Sequence, residues 1–204
     1  MRREWTFSEL LDRAAALATG PRRVLGICGA PGAGKSTLAA RLVTALGGRA
    51  ALVGMDGFHL AQAELDRLGR AERKGAPDTF DADGYADLLR RLRTSTDAVV
   101  YAPEFRREVE EPIACAVPVP CEVPLVVTEG NYLLLWPAVR PLLDEVWYLD
   151  PDPGVRRQRL YQRHRTFGRT EDQARERTDG SDETNARLVG GTAAAADLVL
   201  RKIQ

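Results

Sequence analysis

The sequence predicts an α/β fold in which a mostly parallel sheet is covered on both faces by helices. Three observations carry that expectation. Short apolar or β-branched runs alternate with helical periodicities along the chain, the pattern that parallel strands need for their crossovers. A glycine-rich stretch, "GAPGAGKS" (Gly29 to Ser36), stands between one such run and one such periodicity. Two acids, Asp56 and Glu129, each close an apolar run and are each followed by glycine.

Each element has its own signal. "WTFSELLDRAAALA" has helical spacing within residues 4–19 and stops at Gly20-Pro21. "VLGIC" reads as a short buried strand, "KSTLAARLVTAL" as an amphipathic helix ended by Gly47-Gly48, and "ALVGM" as the next strand. Residues 57–80 are mixed, with a short helix around "AQAELDRLG". "DGYADLLRRLR" predicts a helix and "AVVYA" a strand, followed by a charged loop, "PEFRREVEEP". "VPLVVTEG" and "EVWYLD" predict strands, "PGVRRQRLYQRHR" and "TEDQARERTDGSDETNARLVG" polar helices, and "DLVLRKI" a last strand.

A chain of 204 residues, 44% hydrophobic and 28% charged, suits one large α/β domain over residues 1–204. The formal net charge is zero, so bulk electrostatics point to neither a nucleic-acid nor a membrane partner. Of 29 basic residues only Lys35, Lys74 and Lys202 are lysines, which singles each of them out. Three cysteines without CxxC spacing read as buried free thiols in a reducing compartment, with no zinc site. The N-terminus lacks a signal peptide's apolar core and no apolar run is long enough to span a bilayer, so a cytoplasmic protein is expected.

"GAPGAGKS" fits GxxxxGK[ST] in the required setting, after a strand and opening a helix. Glycines let successive backbone N–H groups turn inward around phosphate oxygens, and the helix that follows aims its unpaired N–H groups at the same anion. Gly29, Ala30, Gly32, Ala33, Gly34, Lys35, Ser36 and Thr37 are the expected nucleotide-binding residues, with Lys35 on the β and γ phosphates and Ser36 on Mg²⁺. A GTPase switch would need NKxD, and neither Asn131 nor Asn185 begins one.

Ligands of open parallel sheets gather beyond the carboxyl ends of the strands. Asp56 is therefore expected in the phosphate crevice, accepting a proton from an attacking hydroxyl or holding Mg²⁺ through water; the alternative is an acid that starts a turn or caps the helix after it. Gly57 would let an acceptor come close. Glu129 is expected to be a metal-orienting acid, since a buried carboxylate at a strand end needs a partner. Arg156, Arg159 and Arg163 share one helix face, and Arg165 and Arg169 follow, so residues of about 155–172 read as a lid that brings guanidinium groups to phosphate. His59 and His164 fit no triad or metal pattern; His59 stands where it can meet an acceptor or pack within its loop.

These residues also resemble a known family. "GAPGAGKS", "MDGFHL", "RKGAPDTFDADGY", "YAPEFRREVEEP", "EGNYLLL" and the "RH" stretch with a later "ETNARLV" are similar to the uridine kinase, phosphoribulokinase and bacterial pantothenate kinase superfamily. Within it the chain resembles the nucleoside/nucleotide kinase family proteins, some labelled fructose-transport-operon kinases, over about residues 20–201. The resemblance implies a P-loop three-layer αβα sandwich with a five-stranded, mostly parallel core and a helical lid. It implies ATP and Mg²⁺ as cofactors, and transfer of the γ-phosphoryl group to a hydroxyl. Carried over by motif, Asp56 corresponds to the general base, Glu129 to the strand-end acid, Arg163 and Arg169 to lid arginines, and Arg107 to an acceptor-side arginine within residues 57–112. Phe58, His59 and Tyr132 fall in the motifs "DGFH" and "EGNY" and are expected near the acceptor.

Two departures bear on the acceptor. Uridine kinases carry an Asp two residues before the proline of the "GAPDTFD" stretch, where this chain has Gly75, and a histidine in the acceptor loop, which is absent from residues 101–112. Arg106 replaces the Asp of PxFDR and with Arg107 makes a doubly basic loop suited to an anionic or polyol acceptor. The expected protein is an ATP-dependent small-molecule kinase, a monomer or homodimer with no nucleic-acid or membrane partner. The alternatives are a uridine or pantothenate kinase proper, or a non-catalytic ATP-binding regulator. By analogy the loop "GGTAAAAD" is the expected adenine pocket.

Overall fold

The computed structural model describes residues 4–203. The first helix, α1 (Phe7–Leu17), starts at Thr6, whose hydroxyl accepts from the Glu9 N–H while the Glu9 carboxylate accepts from the Thr6 N–H. Leu10, Ala14 and Leu17 share one face and are buried. β1 (Arg23–Gly29) is buried from its second residue onward, as a central parallel strand has to be. There follow α2 (Lys35–Leu46), β2 (Ala50–Gly54), α3 (Gln62–Arg67), α4 (Ala82–Thr94), β3 (Val99–Arg106), β4 (Glu111–Pro120), β5 (Leu125–Gly130) and β6 (Glu145–Leu149). The chain closes with α5 (Pro153–Thr166), α6 (Glu171–Asp179), α7 (Ser181–Gly190) and β7 (Leu198–Leu200).

Among the described residues the main sheet has five strands in the order β2-β5-β1-β6-β7, all parallel. Alternation along β1 divides the core in two. Leu25 and Ile27 join Leu125, Val127 and Trp147 under α1 and α2, while Val24 and Cys28 join Val126, Val146 and Tyr148 under α4. Helices therefore cover both faces of the sheet, as the alternating pattern requires. The register aligns Gly54 with Glu129 and Cys28 with Gly130, so β2, β5 and β1 end side by side. That alignment positions the site.

Three expectations change. "AVVYA" does not join the parallel sheet, and the expected charged loop is mostly strand: β3 and β4 form a separate antiparallel hairpin. Pro103, Pro112, Pro118 and Pro120 hide it from sequence patterning, yet proline is tolerated where a strand edge needs no N–H donor, and the register shifts at Pro103. The long polar helix after Thr170 is two helices, broken at Gly180, where a Cβ would stand 2.7 Å from the Glu176 carbonyl oxygen. Among the cysteines, Cys28 is buried but Cys115 and Cys121 are exposed; all three are free.

Candidate active site

β1 delivers the chain to the glycine-rich loop. Gly32 and Gly34 take φ of +79° and +95°, conformations that disfavour any side chain. A Cβ on Gly32 would lie 2.6 Å from Leu160 Cγ and 2.8 Å from the Arg156 carbonyl oxygen, so α5 packs directly on the loop. Gly34 opens α2 without a side-chain cap, which leaves the first N–H groups of a 12-residue helix for an anion.

Lys35 is buried beneath this loop. Its Nζ donates to the Ala30 carbonyl at 3.1 Å and to Asn131 Oδ1 at 2.6 Å. Beside it, Ser36 Oγ donates to Glu129 Oε1 at 3.0 Å. Burial pushes the Lys35 ammonium pKa down, and the charge of Glu129 pulls it back up. Burial likewise holds the Glu129 carboxyl above the usual range, reinforced by Asp56 and opposed by Lys35. Opposite charges would normally favour each other's ionised forms; here desolvation outweighs their attraction at both groups. Such a site is deficient in counter-ions of both signs, which bound phosphate and a divalent cation would supply.

Asp56 and Glu129 reach the same cavity, of about 530 Å³, as Lys35 and Ser36. Arg107, from the turn after β3, lies with Nη2 3.4 Å from Asp56 Oδ2. His59 is wedged between Phe80 and Phe105, with ring centroids 4.0 Å and 4.6 Å away. Its Nδ1 donates to the Asp56 carbonyl at 2.8 Å, and burial lowers its pKa, which keeps the ring neutral. Arg163 also lines the cavity, its guanidinium pKa lowered by burial and then by Arg107. Arg169 and Phe167, at the end of α5 and beyond it, complete that wall.

Other expected residues lie elsewhere. Phe58 turns into the core, edge-on to Tyr85 at 5.3 Å, and does not line the cavity. Tyr132 is fully buried; its hydroxyl donates to the Gly75 carbonyl at 2.5 Å and so holds the loop rather than the cavity surface. Arg159 stays outside the cavity, with Nη1 3.5 Å from a Cβ placed on Gly34. Arg156 is a buried clamp, donating to the Pro31 carbonyl at 3.3 Å and paired with Glu183. Gly57 admits the backbone of Pro103, whose oxygen would be 2.5 Å from a Cβ, and not an acceptor. Arg106 pairs with Glu104 on the surface, so only one arginine of the doubly basic pair faces the cavity. The "GGTAAAAD" loop is not part of this cavity wall.

Sequence reasoning missed Asn131, which orients Lys35, and Lys74, Arg177 and Asn185, which line the cavity. The rarity of lysine pointed to Lys74 without giving it a role. Asn185 lies in the "ETNARLV" stretch that carries part of the family resemblance, but no role followed from it, and Arg177 had no signal, because α6 and α7 meet the cavity only after folding back at Gly180.

The donor set fits Mg²⁺. Ser36, Asp56 and Glu129 offer only oxygen, and Mg²⁺ in phosphoryl-transfer sites takes one or two carboxylates together with phosphate and water. Among the described residues no cluster of three or more His, Cys, Asp or Glu could enclose a metal by protein ligands alone. The glycine cradle and Lys35 fit a nucleotide triphosphate for the reasons given above.

A parallel sheet with a lysine-bearing glycine loop after its central strand, and acids at the ends of the two successive strands on one side of it, defines the P-loop kinase class. The chain belongs to the P-loop kinase family whose members are described as "AAA domain", which matches residues 24–186. It is 37% identical to a putative uridine kinase of Schizosaccharomyces pombe, over 98% of this chain and 92% of that one. The crystal structure of a putative fructose transport system kinase from Silicibacter sp. TM1040 superposes with a TM-score of 0.85 at 35% identity, covering 95% of this chain and 98% of that one. A pantothenate kinase of Limosilactobacillus reuteri is 31% identical over 65% of this chain, which matches only 46% of that protein's length. No described helix is long and apolar enough to cross a membrane.

Proposed function

We propose that this protein is an ATP-dependent kinase that transfers the γ-phosphoryl group to a hydroxyl of a small metabolite. The carrying observation is that three adjacent parallel strands end together, so that Lys35, Asp56 and Glu129 face one cavity. The kinase names of the relatives support this reading.

Each residue has a task that its position explains. The loop N–H groups and Lys35 neutralise the phosphates, and Lys35 is held ready by Asn131 and the Ala30 carbonyl. Ser36 and Glu129 would hold Mg²⁺, which when bound offsets charge on the transferring phosphoryl group. Asp56 accepts the proton of the attacking hydroxyl, since it is the cavity carboxylate on the acceptor side, next to Arg107. Arg163 and Arg169 bring positive charge from the lid toward the oxygens where negative charge collects, and close the site against water.

The test is ADP release with ATP and Mg²⁺ against a panel of sugars, nucleosides and hydroxy acids, with Asp56→Asn as the control. Turnover that depends on Asp56 supports the reading. A nucleotide-binding regulator would bind ATP and give no acceptor-dependent turnover; a uridine or pantothenate kinase would turn over that compound alone.

A further inference from the structure

We propose that the acceptor is a hydroxyl compound bearing an anionic group, a carboxylate or a phosphate monoester, held between Lys74 and Arg107. This rests on the kinase reading, and names the class of compound the same cavity takes.

The charge of the cavity wall is unbalanced. Six lysines and arginines line it against four acids. Lys35 lies under the glycine loop, and Arg163, Arg169 and Arg177 come from α5, α6 and the segment between them, the lid that the proposed function turns toward the triphosphate. Lys74 and Arg107 come instead from the 74–75 loop and the hairpin turn, the pieces of chain that also carry Gly75 and Phe105 into the cavity lining. They flank one ring: Lys74 Nζ is 5.6 Å and Arg107 Cζ 5.9 Å from the Phe105 centroid.

Neither cation is fully engaged. Lys74 Nζ donates to the Glu110 carbonyl at 2.5 Å and to Gln62 Oε1 at 3.2 Å, and among the described residues no carboxylate pairs with it. A lysine facing a cavity with only neutral partners has its N–H donors open to an incoming anion. Arg107 meets Asp56 by one long contact of 3.4 Å instead of a two-pronged fork, so its other N–H groups remain available. Next to Lys74, Gly75 has φ of +100° and contributes no side chain, and its carbonyl already accepts from Tyr132 and Asn185. A neutral nucleoside would leave Lys74 without a counter-charge and Arg107 with only its long contact to Asp56. A carboxylate or phosphate placed between them would satisfy both, draw Arg107 off Asp56, and leave that carboxylate free to take the hydroxyl proton.

Matched acceptors test this: glycerol against glycerate and glycerol 3-phosphate, ribose against ribose 5-phosphate, pantetheine against pantothenate, with uridine alongside, each with ATP and Mg²⁺. We expect a charged member to exceed its neutral partner and uridine by at least ~10-fold in kcat/KM. Lys74→Met and Arg107→Met should each remove about 10- to 100-fold of that kcat/KM, mainly through KM, the range for losing a charged hydrogen bond. The carboxylate and phosphate arms distinguish the two anions. A neutral acceptor or uridine turned over as well as every acid, or a charged acceptor whose KM ignores both substitutions, overturns the proposal. If no acceptor releases ADP, the kinase reading fails separately. The anion site is then read from thermal stabilisation by the same acids in the presence of ADP and Mg²⁺. Stabilisation of the parent but not of Lys74→Met sustains it, and none in either overturns it.

Discussion

Ser36 Oγ donates to Glu129 Oε1 at 3.0 Å, joining the first turn of α2 to the tip of β5 through two oxygens that a divalent cation would claim. Because burial keeps the Glu129 carboxyl above its ordinary value of 4.5, the folded state holds a proton there that the unfolded chain has already lost. Stability from this group is present below the ordinary value and declines as pH rises through the elevated one. Glu129→Gln lacks that decline. The melting temperature of the variant minus that of the parent should therefore increase as pH rises above about 4.5, in nucleotide-free protein. Activity should move the other way, falling by at least ~10–100-fold with Mg²⁺ as metal positioning is lost.

Asp56→Asn should lower kcat by about 10²–10⁴-fold, the usual worth of a positioned general base. Steady-state kinetics with the best acceptor check this. The KM for ATP should change much less than kcat, because the nucleotide phosphates are held by the loop and Lys35.

Gly32→Ala should loosen α5 from the phosphate loop. The added carbon meets Leu160 Cγ at 2.6 Å and the Arg156 carbonyl at 2.8 Å in a left-handed conformation. Overpacking of this kind costs about 1–3 kcal/mol on top of the backbone strain. Gly69→Ala is the control, since its φ of +66° is strained but nothing lies within 4 Å of the new carbon. Denaturant midpoints should order parent, Gly69→Ala, Gly32→Ala from most to least stable, and nucleotide affinity should fall only in the last.

Thr128 sits in a buried chain: Tyr85 Oη is 2.6 Å from Thr128 Oγ1, which in turn donates to the Val53 carbonyl at 2.6 Å. The Tyr85 hydroxyl is therefore the donor of the pair, and burial raises its pKa well above normal. Tyr85→Phe removes one donor and leaves the Thr128 bond to Val53 intact, at a cost of about 0.5–1.5 kcal/mol. Thr128→Val strands both the tyrosine hydroxyl and the carbonyl, and should cost roughly 2–4 kcal/mol. Equal losses in chemical denaturation would contradict this direction of hydrogen bonding.

The part of the fold governed by local chemistry was readable in the sequence. "VLGIC", the glycine loop and "KSTLAARLVTAL" announce themselves through apolar runs, φ requirements and helical period within about two dozen residues. Strand-end acids could be placed because parallel strands end on one side of a sheet. The hairpin could not, since its prolines contradict strand propensity and only pairing between β3 and β4 overrides them. Asn131 and Lys35 are 96 positions apart, and nothing local marks an asparagine as the partner of a distant lysine. Phe58 and Tyr132 were expected at the acceptor because their motifs border the site; backbone direction at each position turns the rings into the core instead.

β3 and β4 pair only with one another, and reach the rest of the molecule through contacts such as the backbone of Pro103 on Gly57 and the ring of Phe105 on His59. On the function proposed above, Lys35, Asp56 and Glu129 and the acceptor-side Arg107 are thus housed in different pieces of chain. Evolution can redraft the turn at Arg107, or change its length, without disturbing a single hydrogen bond of the five-stranded scaffold. If that function holds, a lineage built on this plan is free to diversify its metabolites while the residues around the glycine loop stay fixed.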